Sequence, residues 1–402
     1  MTRTARIAVS LVPCAILIFL LIVTVRLFTA DVLSRSTSLY GRQTAVRLFP
    51  GDVTYILSLV DLRRQNELEV RDQLRLATLA DPLEAHLFID LGLETERAGD
   101  FDTARRYLLE AARLSNEFLP PWTLANYYFR RDNMPECVKW LRRAIEIGTA
   151  DMRPAFRLLS LAGVSSSEMA NTLPRTRHVF IPLLDWAVSD GRMDLVHEVG
   201  PVVVRQWPHA QPHSLLRYCA LLAVSSASDR LQAADVWNTL VADGVLAQTS
   251  IFPATAPRVV DSGFTDTSGS LAFGWRLNTV EGIIPVNYSK GLRLEFEGTE
   301  PDRWPVLMQV LSLRPGASYV VRCSYQSSGL PASSGLFWRV EDPDTYADLT
   351  QTTGFLNDAQ HSVDTKFTAT GRFARLVLTY VRPPGTVKIA GSVLLLQMDL
   401  NP

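Results

Sequence analysis

The sequence predicts a multidomain protein with an N-terminal transmembrane helix, an all-α solenoid of helix pairs and a C-terminal all-β sandwich. Three observations predict this order. An uncharged apolar run lies near the amino end, and apolar and small residues then recur with a period near 34 residues. A Pro/Thr/Ser-rich stretch at 248–257 separates these repeats from short β-branched and aromatic runs. With 402 residues, 47% of them apolar, the chain can form two well-cored domains.

The first element is the uncharged run Ile7–Val25, nineteen residues between Arg6 and Arg26. A helix of this length covers about 28 Å, close to the ~30 Å hydrocarbon core of a bilayer. A signal peptide would have a shorter apolar region and small residues at a cleavage point. We therefore expect residues 1–30 to be an uncleaved membrane anchor with 7–25 in the bilayer, and a cleaved signal is the alternative.

The orientation of this anchor is not decided by its flanking charges, because arginines lie on both sides of the run. A short basic tail before a long trailing domain favours an amino end in the cytoplasm. We expect a single-pass protein of the cytoplasmic (inner) membrane, with the bulk of the chain outside the cytoplasm.

The helical repeats are clearest in Ala85–Leu114, where apolar and small residues fall on one face of two short helices. Gly99-Asp100-Phe101 forms the turn between them. A shift of 34 residues upstream aligns Leu108 with Leu74, and a shift of 33 downstream aligns it with Leu141. The residues that we expect to pack the repeat are Leu91, Gly92, Ala104, Leu108 and Ala111.

This period, with small residues at helix contacts and Pro82 at a repeat junction, resembles the tetratricopeptide repeat (TPR) family over about Gly51–Gly148. The resemblance implies stacked antiparallel helix pairs that bind a protein partner, which the sequence does not identify. The flanking units are degenerate, since Ser58 stands where the central unit has Gly92. An unrelated antiparallel helical array is the alternative. Helical patterns continue without a clear period, so we extend the solenoid over 38–247.

The stretch at 258–402 alternates short apolar runs with Gly, Pro and Ser turns, which predicts an antiparallel β-sandwich. The predicted strands are Leu292–Phe296, Val306–Leu311, Tyr319–Tyr325, Gly335–Val340, Lys366–Ala369, Ala374–Tyr380 and Val387–Leu396.

An ordered set of motifs in this stretch includes Ser262-Gly263-Phe264, Phe273-Gly274-Trp275, Leu313-Arg314-Pro315-Gly316 and Phe337-Trp338-Arg339-Val340. The set resembles the jelly-roll carbohydrate-binding-module superfamily over about Val259–Leu400. The resemblance implies a glycan ligand, although the superfamily also includes structural modules without one. Its last strand usually carries an acidic residue after a glycine, sometimes near calcium. Gly391-Ser392-Val393 lacks that acid, so we assign no calcium.

Aromatic residues in the sandwich are the candidates for glycan contact, because sugar rings stack their C–H faces on Trp and Tyr. Trp275 and Trp338 lie in the strand motifs, which favours the core. Trp304 follows a Pro-Asp-Arg segment and Tyr346 lies in an acidic turn. We therefore predict Trp304 and Tyr346 as the glycan-binding residues on the surface.

The remaining chemistry of the sequence favours a protein without catalysis. The histidines are scattered, and the sequence contains no zinc-binding His-Glu-x-x-His motif, nucleophile elbow or phosphate-binding glycine loop. We expect no enzymatic activity, no metal and no cofactor. A net charge of −1 without a basic run argues against a nucleic-acid partner. Cys137, Cys219 and Cys323 are isolated in the sequence, which predicts buried thiols.

Two functions are compatible with this organisation. The first is a membrane-anchored scaffold of the cell envelope that binds a protein through its repeats and a polysaccharide through its sandwich. This architecture resembles accessory proteins of bacterial exopolysaccharide assembly or export, which is an analogy of fold. The second is a purely protein-binding adaptor whose sandwich is structural and has no sugar ligand.

Overall fold

The structure is a computed structural model that describes residues 3–209, 212–253, 255–288, 290–331, 333–357 and 361–402. Side chains are described from residue 15 onward, so the first part of the predicted membrane segment, with Cys14, lies outside them. The chain divides into two compact units, Met1–Pro174 and Arg175–Pro402. The last four helices therefore group with the sandwich, and the boundaries drawn from sequence at 38–247 and 258–402 stay a prediction.

The first unit is all-α. Its described helices are α1 (Arg3–Ser34), α2 (Leu39–Leu48), α3 (Val53–Gln65), α4 (Arg71–Ala80), α5 (Ala85–Arg97), α6 (Phe101–Leu114), α7 (Leu119–Arg130), α8 (Met134–Ile147), α9 (Arg153–Leu161) and α10 (Ser166–Thr172).

Helix α1 is the one described helix that is long and apolar enough to cross a membrane. Its window Ala15–Ser34 has a mean hydropathy of 2.4 and is only 6% buried. The carboxyl end of the helix packs on the first unit, where Ala30 lies in a small core with Ala45 and Tyr55. Arg26 donates a hydrogen bond to the carbonyl of Leu48 at 3.0 Å.

Helix pairs α3–α4, α5–α6 and α7–α8 share one turn design. Each turn contains a residue with left-handed backbone, with φ of 57° at Glu67, 86° at Gly99 and 56° at Asp132. The second helix of two pairs is then capped by the next residue. Asp100 accepts from the N–H of Thr103 at 3.1 Å, and Asn133 caps α8 in the same way. The same local chemistry therefore folds successive pairs.

Within the central pair, α5 and α6 approach closely at a glycine. A Cβ placed on Gly92 would lie 2.7 Å from Cδ2 of Leu108, which is less than any normal contact. Leu91, Ala104, Leu108 and Ala111 are all buried. The absence of a side chain at Gly92 thus lets Leu108 fill the space between the two helices.

The second unit begins with four helices and ends with ten strands. The helices are α11 (Arg177–Ser189), α12 (Met193–Gln206), α13 (Pro212–Val224) and α14 (Ala227–Ala242). The strands are β1 (Arg276–Leu277), β2 (Ile283–Tyr288), β3 (Gly291–Glu297), β4 (Arg303–Ser312), β5 (Ser318–Ser328), β6 (Leu336–Glu341), β7 (Asp348–Gln351), β8 (His361–Thr368), β9 (Phe373–Val381) and β10 (Ala390–Asn401).

The strands form two antiparallel sheets that enclose one core. Sheet A has the order β1-β4-β9-β6-β7, and sheet B has the order β2-β3-β10-β5-β8. Phe264, Trp275 and Trp338 stack in the centre, with 4.7 Å between the ring centroids of Phe264 and Trp275. The predicted fold class is confirmed for the described residues: an apolar N-terminal helix, helix pairs and a two-sheet antiparallel sandwich.

The three cysteines whose side chains are described, Cys137, Cys219 and Cys323, are free and buried, as the sequence predicts. Burial raises the pKa of the Cys137 thiol to about 11 and that of Cys323 to about 12.

Candidate functional site

The outer face of sheet A carries a cluster of charged and aromatic side chains. Strand β9 alternates, so that Leu376, Leu378 and Tyr380 enter the core while the residues between them face outward. Helices α13 and α14 lie against part of this outer face. Arg276 of β1 donates to the carbonyl of Ala220 in α13 at 2.6 Å.

The β6–β7 connection holds one exposed tyrosine over this face. Asp342 accepts hydrogen bonds from the N–H groups of Asp344 at 3.0 Å and Thr345 at 2.8 Å. The bond from the Thr345 N–H contributes most to a pKa of Asp342 below its usual value. Tyr346 follows with φ of 59° and is 62% exposed.

Beneath the tyrosine lies an arginine. The guanidinium carbon of Arg375 is 4.7 Å from the centroid of the Tyr346 ring, a cation–π contact. Arg375 is also within 3.5 Å of the carboxylate of Glu341. The ring therefore has one face on a fixed cation and remains otherwise open to solvent.

A compact ionic network fixes that cation. Glu341 is 3% exposed and lies between the guanidinium groups of Arg339 and Arg375. Arg339 also lies 3.0 Å from a carboxylate oxygen of Asp348. Because a buried carboxylate needs such partners, the network holds both arginines in place on the strand face.

A shallow groove of about 260 Å³ runs along this face beside the tyrosine. Its lining combines guanidinium groups with apolar and small side chains, and it includes Arg303, Pro305, Tyr346, Arg375, Val377 and Thr379. We call it the Tyr346 groove. Donors in a fixed fork next to an exposed aromatic face suit a ligand with both hydroxyl groups and apolar ring faces.

The two predicted glycan residues lie on opposite faces of sheet A. Trp304 is in strand β4, opposite Tyr380 of β9, and it packs against the core rather than projecting from a loop. Its indole N–H donates to the carbonyl of Asn278 at 2.9 Å. Tyr346 lies over the outer face with Arg375. The two rings therefore do not form one surface, and the glycan contact of each stays a prediction.

Sequence reasoning did not single out the arginines of the groove. A signal for them exists, because Arg375 interrupts the apolar strand Phe373–Val381 and Arg339 lies between Trp338 and Val340. A charged residue in such a strand indicates that the strand has a partly polar outer face.

In the described part of the chain, no group of three or more His, Cys, Asp or Glu side chains is placed to hold a metal ion.

The first unit presents a different kind of surface. Ion pairs connect successive helix pairs, as between Arg130 and Glu96, which lie 34 residues apart in sequence and 2.6 Å apart in space. Leu76 and Leu79 of α4 and Leu83 just after it are exposed, Leu79 by 74%. We call these three residues the α4 leucines.

No family model matches the chain, and no curated protein matches it. Similar solved structures include a carbohydrate-binding module, CBM4, with 10% identity, a TM-score of 0.26 and coverage of 32% of this chain and 85% of that chain. The pilF protein of Pseudomonas aeruginosa has 14% identity, a TM-score of 0.28 and coverage of 44% and 85%. YrrB, a TPR protein with an unusual peptide-binding site, has 13% identity, a TM-score of 0.27 and coverage of 51% and 93%.

Both families that the sequence resembles, the TPR proteins and the carbohydrate-binding jelly rolls, thus occur among the similar structures. At identities of 10–14% the likeness concerns the fold alone.

Proposed function

We propose that this protein is a non-enzymatic, membrane-anchored scaffold of the bacterial cell envelope. Its helical repeats bind a protein partner, and its sandwich contacts a polysaccharide during exopolysaccharide or envelope assembly or export. Helix α1 supplies the anchor, and the domains lie outside the cytoplasm.

The observation that carries the glycan part is the exposed ring of Tyr346 above the guanidinium of Arg375. An exposed aromatic ring on a turn that the hydrogen bonds of Asp342 hold over the strand face supports stacking of a sugar ring, while arginine N–H groups donate to hydroxyl oxygens. Each contact is weak because it exchanges with water, so retention of a long polysaccharide depends on several anchored copies binding at once.

The glycan part is tested by affinity electrophoresis of the full-length protein in a neutral detergent, through gels containing the producing cell's own polysaccharide. We expect retardation of the wild type and loss of retardation in Tyr346→Ala. The matched control is Tyr288→Ala, which removes a half-exposed tyrosine that lies beside Arg293 on sheet B. Unretarded wild-type protein would contradict the glycan function and favour the adaptor with a structural sandwich.

The protein-binding part is supported by the α4 leucines, because exposed apolar side chains grouped on one helix mark interaction surfaces. A photo-crosslinking residue at Leu79 in living cells should give one discrete adduct with another protein. The same residue at Asp102, a polar and highly exposed position of α6, serves as the control. Equal labelling from both positions would show that the α4 leucines are not the partner surface.

The adaptor remains the second candidate because one observation favours it. Helices α13 and α14 lie on part of the outer face of sheet A, with Trp237 against Phe273 at 5.7 Å between ring centroids. The part of the face that these helices contact is an internal contact of the chain, which favours a structural role for the sandwich.

A further inference from the structure

A second cavity, of about 320 Å³, lies between helices α13 and α14 and the outer face of sheet A. Six of its lining residues define it here as the arginine cavity: Arg230, Arg276, Arg375, Met308, Val310 and Tyr346. It shares Tyr346 and Arg375 with the Tyr346 groove, but Arg303 and Thr379 line the groove alone. Its volume is at the lower end of the ~300–1,000 Å³ typical of ligand pockets, which suits a single sugar residue.

Two of the three arginines in this cavity have carboxylate partners. Arg230 is 2% exposed and pairs with Asp344. Arg375 pairs with Glu341, which lies 3.5 Å away. The charges of these two arginines are therefore balanced within the protein.

The third arginine of the cavity, Arg276, has no carboxylate partner among the described residues. Arg276 is half-buried and donates to the backbone carbonyl of Ala220, and no carboxylate of the described residues forms an ion pair with it. Its removal from water lowers the pKa of Arg276 below the usual value, yet a guanidinium stays charged at neutral pH. Arg276 is thus the arginine of this cavity that has no ion-pair partner among the described residues.

Some N–H donors of the arginines in this cavity also lack a hydrogen-bond acceptor. The Nε–H of Arg230 is buried and has no partner in the described part of the protein. Buried N–H groups without partners are rare because each costs the desolvation of a polar group. That Nε–H has no accessible surface, so an acceptor in the cavity would instead bond to the N–H groups of Arg276 that Ala220 does not use.

Apart from Asn278, the rest of the lining is largely apolar. Met308 and Val310 form the strand side of the cavity, and Tyr346 lies at its edge. Apolar side chains beside charged donors match a ring with hydrophobic C–H faces and one acidic substituent. The one unpaired guanidinium, that of Arg276, matches a carboxylate, which carries one negative charge, better than a phosphate monoester, which carries ~1.5 to 2 at pH 7.

We propose that the arginine cavity binds the carboxylate of a uronic acid residue of an acidic polysaccharide, with Arg276 as the pairing cation. Met308, Val310 and Tyr346 contact the sugar ring. This inference rests on the proposed glycan function and adds the charge class of the glycan.

The test is isothermal titration of the full-length protein in detergent with glucuronate, glucose and glucose 6-phosphate. We expect glucuronate to bind at least tenfold more tightly than either of the other two. Arg276→Gln should weaken glucuronate binding by at least tenfold, because it replaces the pairing cation by a neutral polar side chain. The matched control is Arg322→Gln, which removes one charge from sheet B at a site paired with Asp364.

A second variant tests the cavity without altering its charge. Val224 lines the cavity and is substantially exposed, so Val224→Trp should narrow the cavity and also weaken glucuronate binding. It keeps the proposal testable if Arg276→Gln does not fold, as judged by thermal melting.

The inference is overturned if glucuronate binds no better than glucose, or if both cavity variants bind it like the wild type. Tighter binding of glucose 6-phosphate than of glucuronate would show that the cavity prefers a phosphate to a carboxylate, which would also overturn the inference. Retardation of the wild type in polysaccharide gels without any glucuronate binding would refute this site alone. Loss of both signals would refute the proposed glycan function as well.

Discussion

Gly92 and Leu108 touch across helices α5 and α6, and Leu108 occupies the space that a side chain at position 92 would need. The same pair recurs in neighbouring repeats as Ser58 with Leu74 and Ala125 with Leu141. In each case a small residue faces a leucine, so the size of this position sets the distance between the two helices of a pair.

Enlarging the small residue should destabilise the first unit. We expect Gly92→Leu to lower the free energy of unfolding by about 1–3 kcal/mol through overpacking. Leu108→Ala should lower it by about 2–5 kcal/mol by opening a cavity. Urea unfolding of the full-length protein measures both. The control is Gly51→Ala, since no atom lies within 4 Å of a Cβ there.

A larger side chain at position 92 should be better tolerated when Leu108 is also made smaller. Leu108→Ala removes the atoms that a side chain at position 92 would meet, so the double variant Gly92→Ala/Leu108→Ala should cost less than the sum of its single variants. Strict additivity would show that the two residues do not share this space.

Trp304 should contribute to the stability of the second unit. It packs against the sandwich core and donates to the Asn278 carbonyl, so Trp304→Ala should cost about 2 kcal/mol, roughly half of a fully buried Trp→Ala change. Trp304→Phe should cost about 1 kcal/mol, because it keeps the packing and loses the hydrogen bond. Unfolding curves unchanged by Trp304→Ala would indicate that the ring is a free surface group.

The buried thiols should be unreactive in the native protein. Burial raises the pKa of Cys137 to about 11 and of Cys323 to about 12, so at pH 8 both remain thiols and the thiolate is scarce. In a Cys14→Ser background, a thiol reagent at pH 8 should label the folded protein hardly at all. After unfolding in urea it should label three cysteines. Rapid labelling of the folded protein would contradict their burial.

The proposed topology predicts the outcome of proteolysis in spheroplasts. Protease added from outside should digest both compact units and leave a small membrane fragment that contains α1. A cytoplasmic protein of the same cells must stay intact as the control. Protection of the units in spheroplasts, lost on lysis, would place them in the cytoplasm.

The elements that the sequence predicts are those whose cause is local. The period near 34 residues located the helix pairs, because small and apolar residues must recur wherever helices touch. Alternation located most of the strands. It missed β2, which contains Pro285, and a proline is tolerated there because β2 is an edge strand of sheet B. It also missed β1 and β7, which are too short to show a pattern.

Which residues share a site depends on contacts that appear only in the folded protein. Tyr346 lies over Arg375, and Arg276 meets the carbonyl of Ala220, 56 residues away in the sequence. In the sequence, Trp304 could equally be a surface residue that stacks on sugars. In the structure, the register of β4 on β9 places it next to Tyr380, so its ring points toward the core. The repeat period and the local composition of the sequence indicate which residues are neighbours along one helix or strand. The face of a strand that meets solvent, and the helix that covers it, depend on contacts between segments far apart in the chain.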